Sequence, residues 1–328
     1  MAKNERMFYT TIMNTQPIPL LTIITPTYKR PQLLAVAMRS VLMQGYANLQ
    51  YIVVDDAPND ETASVVKQLS IEFPNCIEYI ANEKNLGESG SLNKGWAAAR
   101  GDYVLTLSDD DVVYSDWCAR AVSFMEAHPY VAVGYVDWNI IDLAGNALKL
   151  HHMPKYSFKR LVSGCISMPG PGTIIRREAY KNITQIRSTR YRYTPDLAMW
   201  MRFGVHHPFA HMQFVGAGWR VHGVSISCSA NVREKTAELT RIAEDFIQEF
   251  AEEKLVRTRA KAIRCRSELQ CARLWFVAGE CRQGMKNVVR ALKISLLHTC
   301  ILAGCYGKRI LNELNHRSYH FLMSEYIK

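Results

Sequence analysis

The chain has 328 residues, 48% of them hydrophobic and 21% charged, with a net charge of +10. That composition excludes a wholly disordered chain and supplies apolar residues for a sizeable core. The cysteines are nine in number, an odd count with no Cys-x-x-Cys pair, which argues against a disulfide framework or zinc knuckle and for a reducing compartment.

The first nineteen residues lack the apolar core of a signal peptide. Residues 20–28, LLTIITPTY, then form an apolar run that reads as a buried first strand. Pro31 opens a helix, where its missing N–H does no harm, and Leu34, Met38, Val41 and Leu42 share one face as far as Gln44. Tyr51–Asp55 is a second buried strand, ending in Asp-Asp-Ala-Pro-Asn-Asp. Glu61–Ser70 has helical period, and Ile77–Ala81 is a third strand. Glu88–Arg100 is a helix of small residues stopped by Gly101; Tyr103–Leu107 is a fourth strand that runs into Ser108-Asp109-Asp110-Asp111. Ser115–His128 is a helix closed by Pro129, and Val131–Val136 is a fifth strand.

Strands that alternate with helices at this pace imply right-handed βαβ units and a parallel sheet. Ligands bind beyond the carboxyl ends of such strands. Three polar clusters fall there: Pro26–Arg30, Asp55–Asp60 and Ser108–Asp111. Adjacent aspartates repel unless a cation or donor is near. Their hard oxygens suit magnesium or manganese, which also neutralise a diphosphate. The plainer alternative is a solvated turn in which Asp111 or Ser115 caps the next helix.

From about 140 to 225 the pattern is irregular, with a Gly/Pro-rich Ser167–Thr173, as expected of a substrate-binding half. From Asn231 onward it is helical: Leu239, Ile242, Phe246, Ile247 and Phe250 recur at helical spacing within Ala237–Leu255, and Gly279 and Gly284 punctuate a helix–turn–helix. The late apolar run Ile294–Cys305 is broken by His298 and falls short of the roughly 20 residues a bilayer span needs. The expected location is cytoplasmic, with peripheral contact at the inner face of a membrane as its extension. Lys254–Arg309 holds thirteen Lys/Arg against Glu268 and Glu280, a balance that suits anionic headgroups, nucleic acid or a solvated helix face.

Four segments, TIITPTYKR, YIVVDDAPND, NEKNLGESGSLNKG and GDYVLTLSDDD, occur in that order across about ninety residues. Together they resemble the family 2 glycosyltransferases, and the resemblance covers roughly residues 20–225. It implies an α/β fold of the GT-A type, a Rossmann-like sheet with helices on both faces, here with a C-terminal helical extension. It further implies an inverting, nucleotide-sugar-dependent transfer. On the matching positions, Thr27, Tyr28, Arg30 and Asn85 would contact the nucleotide. Asp56 would accept the base N–H, usually that of uracil; Asp109 would lie near the ribose, and Asp110 would bind Mg2+ or Mn2+. YTPDLAMWMRFG resembles the segment carrying the catalytic base, which falls on Asp196, with Pro195 in place of the more usual Glu. WRVHGVSIS makes His222 a candidate metal or diphosphate contact.

Two departures stand out. Ser91-Leu92-Asn93 lacks the arginine that the family often carries before the helix glycine, and Ser108 begins the metal motif where Asp is common. Gly170 and Gly172 would let backbone approach the sugar, while Arg176 and Arg177 would touch an anion or face solvent. The resulting division is a tail over 1–19, a GT-A domain over 20–228 (nucleotide half 20–137, acceptor half 138–228) and a basic helical region over 229–328. The acceptor is left open among saccharide, lipid-linked glycan and protein. Three rival readings remain: a nucleotidyltransferase, disfavoured because TPTYKR lacks glycines; a nucleic-acid- or membrane-binding protein using the basic helices, with no nucleic-acid recognition motif; and an inactive GT-A scaffold.

Overall fold

The computed structural model describes residues 17–164, 168–183, 185–221, 231–308 and 311. Its centre is β1 (Leu21–Thr27), buried at every residue. β1 pairs in parallel with β2 (Leu49–Asp55) on one side and β4 (Tyr103–Thr106) on the other, and β3 (Ile77–Ala81) lies parallel outside β2. The unbroken apolar runs of β1 and β2 follow from being covered on both faces. The connections between these strands are α1 (Pro31–Leu42), α2 (Asp60–Glu72) and α3 (Gly87–Ala98). Pro31 does start α1, and Leu34, Met38, Val41 and Leu42 form its buried face.

The expected parallel sheet holds from β3 to β4 and ends there. The next strand in space is β8 (Ile174–Arg176), antiparallel to both β4 and β6 (Val133–Ile141). β9 (Phe209–Arg220) runs parallel to β6, and the two-residue β5 (Val112–Val113) is antiparallel to β9. β7 (Ala147–His151) folds back on β6 through a turn in which Gly145 takes φ 95°. The sheet is therefore mixed, with the order β3-β2-β1-β4-β8-β6-β9-β5.

The stretch read as irregular contains α5 (Phe158–Ser163), α6 (Pro195–His206) and the twelve-residue β9. Gly216 and Gly218 interrupt β9's apolar pattern for a packing reason. A Cβ at Gly216 would lie 2.9 Å from the Trp117 ring, and one at Gly218 would lie 2.9 Å from Ile141. α4 (Trp117–Ala127) begins behind Asp116, which takes φ 64° and caps nothing with its side chain. Neither Asp111 nor Ser115 fills that place: Asp111 faces the opposite way and accepts the Arg220 amide at 2.9 Å.

The C-terminal part is helical as expected, with α7 (Val232–Glu249), α8 (Lys254–Val277), α9 (Cys281–Ile294) and a helix over 296–308. Gly279, at φ 86°, makes the turn between α8 and α9, but Gly284 sits inside α9, where a Cβ would meet the Phe276 ring at 2.7 Å. These helices are not a detached appendage. Leu197, Ala198 and Met201 of α6 share a core with Leu239, Ile242 and Phe246 of α7 and Val256 and Ile263 of α8. Burying a side chain of this size stabilises the fold by about 1.5–3 kcal/mol, so α6 depends on the helices behind it. No helix among the described residues is long and apolar enough to cross a membrane.

Candidate active site

The register sets Thr27 of β1 opposite Asp55 of β2, so the polar segments after these strands emerge side by side. Beyond them lies a cavity of about 450 Å³ lined by Tyr28, Lys29, Asp56, Asn59, Asn82 and Asn85, among others. Asp55 points back into the fold, accepting the Ala57 amide at 3.0 Å and the Tyr79 hydroxyl at 2.8 Å. Asp56 is held from the far side of the cavity. Its Oδ1 accepts Asn82 Nδ2 (2.8 Å) and the Leu86 amide (2.7 Å), and its Oδ2 accepts the Gly87 amide (2.8 Å). Asn85 Oδ1 shares that amide at 2.9 Å. A carboxylate has about four acceptor positions; three are filled by the entrance to α3, which leaves one for a ligand donor.

The acidic turn lies next to this cavity without lining it. Asp109 is buried, accepts Thr27 Oγ1 at 2.8 Å and pairs with Arg30 Nη2 at 3.1 Å. Burial pushes its carboxyl up to about 6, with Arg30 pulling it down and Asp110 pushing it up. Asp110 is more open and takes Arg30 Nη1 at 2.6 Å. Asp111 is buried, and burial together with Asp110 drives its carboxyl well above the ordinary range. Arg220 ties the far side, donating from Nε to the Asp110 carbonyl at 2.7 Å and from Nη1 to the Asp142 and Leu143 carbonyls. Two arginines thus do the work of charge balance that the bare aspartates required.

The chemistry of these donors fits a hard divalent cation in one way. Among the described residues no three His, Cys, Asp or Glu side chains converge as a ready-made cage. Asp109 and Asp111 face Thr27 and Arg220, while Asp110 presents an oxygen on the side of Arg30. Magnesium is commonly held by one or two carboxylates, with substrate phosphates and water completing the shell. Asp110 suits that arrangement, with Arg30 turning away. His222 lies outside the described residues.

Asp196 stands at the start of α6, half-buried, with its Oδ1 accepting the Leu197 amide at 2.9 Å. It does not line the cavity. Burial raises its carboxyl, Arg187 opposes that rise and Glu88 adds to it. Arg187 is held firmly: its guanidinium meets Glu88 of α3 at 2.5 Å, and Asn93 of α3 bonds both its carbonyl (2.7 Å) and its amide (3.0 Å). α3 therefore links the two ends of the site, with Asp56 bound at its first turn and Asp196 facing the arginine it anchors. Leu92, where a family arginine is often found, is fully buried, and Arg187 is the cation near this place.

From behind, the segment before Asp196 is fixed by α7. Buried Glu238 accepts the amides of Arg192 (2.6 Å), Tyr193 (2.8 Å) and Thr194 (2.6 Å), and the Thr194 hydroxyl at 3.1 Å. Arg202, six residues after Asp196 on α6, pairs with Glu249 of α7 at 2.7 Å. Arg187 and Glu238 carry no local motif, and Arg220, though inside WRVHGVSIS, is not the residue that segment singles out.

The structure accounts differently for several other residues. Gly170 and Gly172 clear space for Trp138 and Trp117; a Cβ at Gly170 would come within 2.9 Å of the Trp138 ring, and Gly172, at φ 74°, offers its carbonyl to Trp117 Nε1 at 3.1 Å. Arg176 meets neither anion nor open solvent: it bonds the Tyr103 hydroxyl (2.9 Å) and the Val131 and Met125 carbonyls.

Comparison with known proteins bears on this arrangement. Residues 22–184 match the model of glycosyl transferase family 2. The chain is 30% identical over 192 residues to the glycosyltransferase EpsE of Bacillus subtilis (strain 168), covering 56% of this chain and 66% of that protein. It is 28% identical over 189 residues to TuaG of the same organism, named as a teichuronic acid biosynthesis glycosyltransferase, covering 56% of this chain and 71% of that one. The matched segment spans only 50% of an uncharacterized glycosyltransferase of Methanocaldococcus jannaschii. Among solved structures, S. aureus TarS 1-349 in complex with UDP-GlcNAc overlays with TM-score 0.59 at 15% identity, over 82% of this chain and 90% of that one. Mannosyltransferase PcManGT from Pyrobaculum calidifontis, in complex with GDP-Man and Mn2+, gives 0.60 at 16% identity over 90% and 84%. At these identities the overlays establish the fold, which is of the GT-A glycosyltransferase kind.

Proposed function

This chain belongs to glycosyl transferase family 2, and on that premise we propose that it moves a sugar from a nucleotide-sugar donor, UDP-linked, to an acceptor hydroxyl with inversion, in glycan or cell-surface polysaccharide biosynthesis. The observation that carries the reading is the hydrogen-bonded path from Asp56 through α3 to Arg187, whose charge acts on Asp196; it joins a nucleotide-sized cavity to a half-buried carboxylate.

Residues 20–137 form the nucleotide half in this reading, 138–228 the acceptor half and 229–328 a basic helical support. Tyr28 and Asn85 border the base and ribose space, and Asp56 reads a base N–H with its remaining lone pair. Thr27 holds Asp109 toward the ribose side. Asp110 and His222 are the residues for Mg2+ or Mn2+, an ion that supplies charge neutralisation for a departing diphosphate. Arg30, once it leaves Asp110, is placed to take a phosphate oxygen. Asp196 removes the acceptor hydroxyl proton as that oxygen attacks the anomeric carbon; the C–O bond to the diphosphate breaks as the new one forms. Arg187 favours the ionised form of Asp196 that this step requires. TarS and PcManGT, named with UDP-GlcNAc and with GDP-Man and Mn2+, support a nucleotide-sugar donor class. The TuaG likeness supports a cell-envelope glycan acceptor, saccharide or lipid-linked rather than protein. The reading places the enzyme in the cytoplasm, peripheral to the inner face of the membrane.

A thermal-shift panel of nucleotide sugars, each with and without Mn2+, tests this. A UDP-sugar should raise the melting temperature and Mn2+ should enlarge the rise. No stabilisation by any nucleotide sugar would remove the transferase reading.

A further inference from the structure

α9 and the helix over 296–308 present three stripes rather than two. At 100° per residue, Gly284, Asn287 and Ala291 point into the protein and are buried. Met285, Val289 and Leu292 lie together on an exposed flank at 52%, 43% and 38% exposure. Arg282, Lys286, Arg290 and Lys293 fill the adjoining arc, and all four are exposed. The following helix also has a buried and an exposed apolar stripe, with Lys308 as its one Lys or Arg. Thr299, Leu302 and Tyr306 are buried, while Leu297 (67%) and Ile301 (64%) stand opposite them in line with exposed Lys308. A helix anchored only to its own domain needs one apolar face; the side chains of the second one here remain 38–67% exposed.

We propose that these exposed apolar stripes, Met285 and Val289 on α9 and Leu297 and Ile301 on the helix that follows, dock on the surface of an anionic phospholipid bilayer. Charge complementarity selects that occupant over a neutral apolar partner. An apolar strip edged by Lys and Arg matches the layered chemistry of the interface, acyl boundary first and phosphate headgroups beside it. Nucleic acid would use the basic arc and leave the leucines in water. The proposal rests on the peripheral-membrane part of the functional reading and supplies its surface; it would bring the catalytic domain to a lipid-linked acceptor.

Flotation of the full chain with vesicles tests it: phosphatidylcholine alone, and phosphatidylcholine with about 30% phosphatidylglycerol. Wild type should float with the anionic vesicles at least about tenfold better than with the neutral ones, and less so in high salt. Leu297→Ser with Ile301→Ser, and separately Lys286→Glu with Lys293→Glu, should each lower that partition about tenfold while leaving the melting temperature and UDP binding unchanged. Flotation unaffected by the Leu297→Ser/Ile301→Ser pair, or no flotation at all, overturns the proposal. So does a wild-type dimer that this pair converts to monomer, which would assign the face to a second copy. Vesicle binding without nucleotide binding would keep the surface and sink the transferase reading, and the reverse result would do the opposite.

Discussion

Glu238 accepts two hydrogen bonds from Thr194, one from its amide at 2.6 Å and one from its hydroxyl at 3.1 Å. Thr194 lies two residues before Asp196, so a carboxylate in the C-terminal helices sets the course of the chain that carries the candidate base. Glu238→Ala would strand three amides, at about 1–3 kcal/mol for an unsatisfied group. It should lower kcat by about tenfold to a hundredfold through misplacement of Asp196. Glu238→Gln keeps one acceptor oxygen and should fall between. UDP affinity, measured by calorimetry, should stay at the wild-type value in both, because the cavity is built from residues 28–85. A loss of UDP binding together with kcat would mean that Glu238 supports the whole domain instead.

Asp196→Asn should reduce transfer by about 10²–10⁴-fold with UDP binding intact. Its carboxyl is raised by burial, and the proposed base acts in its ionised form. The acidic limb of kcat/KM should therefore lie above the ordinary aspartate value of about 3.9. Arg187→Met removes the charge that opposes the rise, so the limb should move further up, whereas Arg187→Lys should hold it near wild type. An unshifted limb in Arg187→Met would separate Arg187 from the base.

Arg30 occupies the Asp110 oxygen side that the proposed divalent cation would need. Asp110→Ala should abolish the gain in UDP affinity that Mn2+ confers, leaving the metal-free affinity little changed. Calorimetric titration with and without Mn2+ reads both numbers, and a gain equal to that of wild type would take Asp110 out of the metal's shell.

Asp137 on β6 anchors the segment after β7, accepting the Met153 amide (2.7 Å), His211 Nε2 (2.8 Å) and His152 Nδ1 (3.0 Å). Burial pushes its carboxyl up, but these three donors outweigh burial and hold it below the ordinary value. A depressed folded value contributes stability above the unfolded value of about 3.9 and loses it as pH falls through the folded one. Asp137→Ala should thus cost about 1–3 kcal/mol at neutral pH, and the two melting curves should converge in acid. A constant gap down to low pH would make the loss one of packing.

Much of the nucleotide half could be read along the chain. β1 to β4 and α1 to α3 follow local rules: apolar runs of strand length, Pro31 at a first turn, and polar clusters at strand ends. Strands that are short or that pair with segments far along the chain leave little local signal. β8 has three residues and inserts next to β4 only through pairing with a partner some seventy positions earlier. β9 was hidden because Gly216 and Gly218 answer to Trp117 and Ile141, which are not their sequence neighbours. The resemblance singles out Asp56, Asp110 and Asp196, but not Arg187, Arg220 or Glu238, since a charged residue looks alike along the chain whether it is solvated or bonded to distant partners.

Local chemistry alone determined which segments were strands, which were helices, and where carboxylates would gather, because period, turn residues and charge repulsion act over a few residues. The tertiary structure decided who neutralises them. Arg30 reaches Asp110 across 80 positions, Arg220 reaches Asp111 across 109, and Glu238 reaches Thr194 across 44. A buried carboxylate must find its donors in space, and only the folded chain brings those donors within hydrogen-bonding distance.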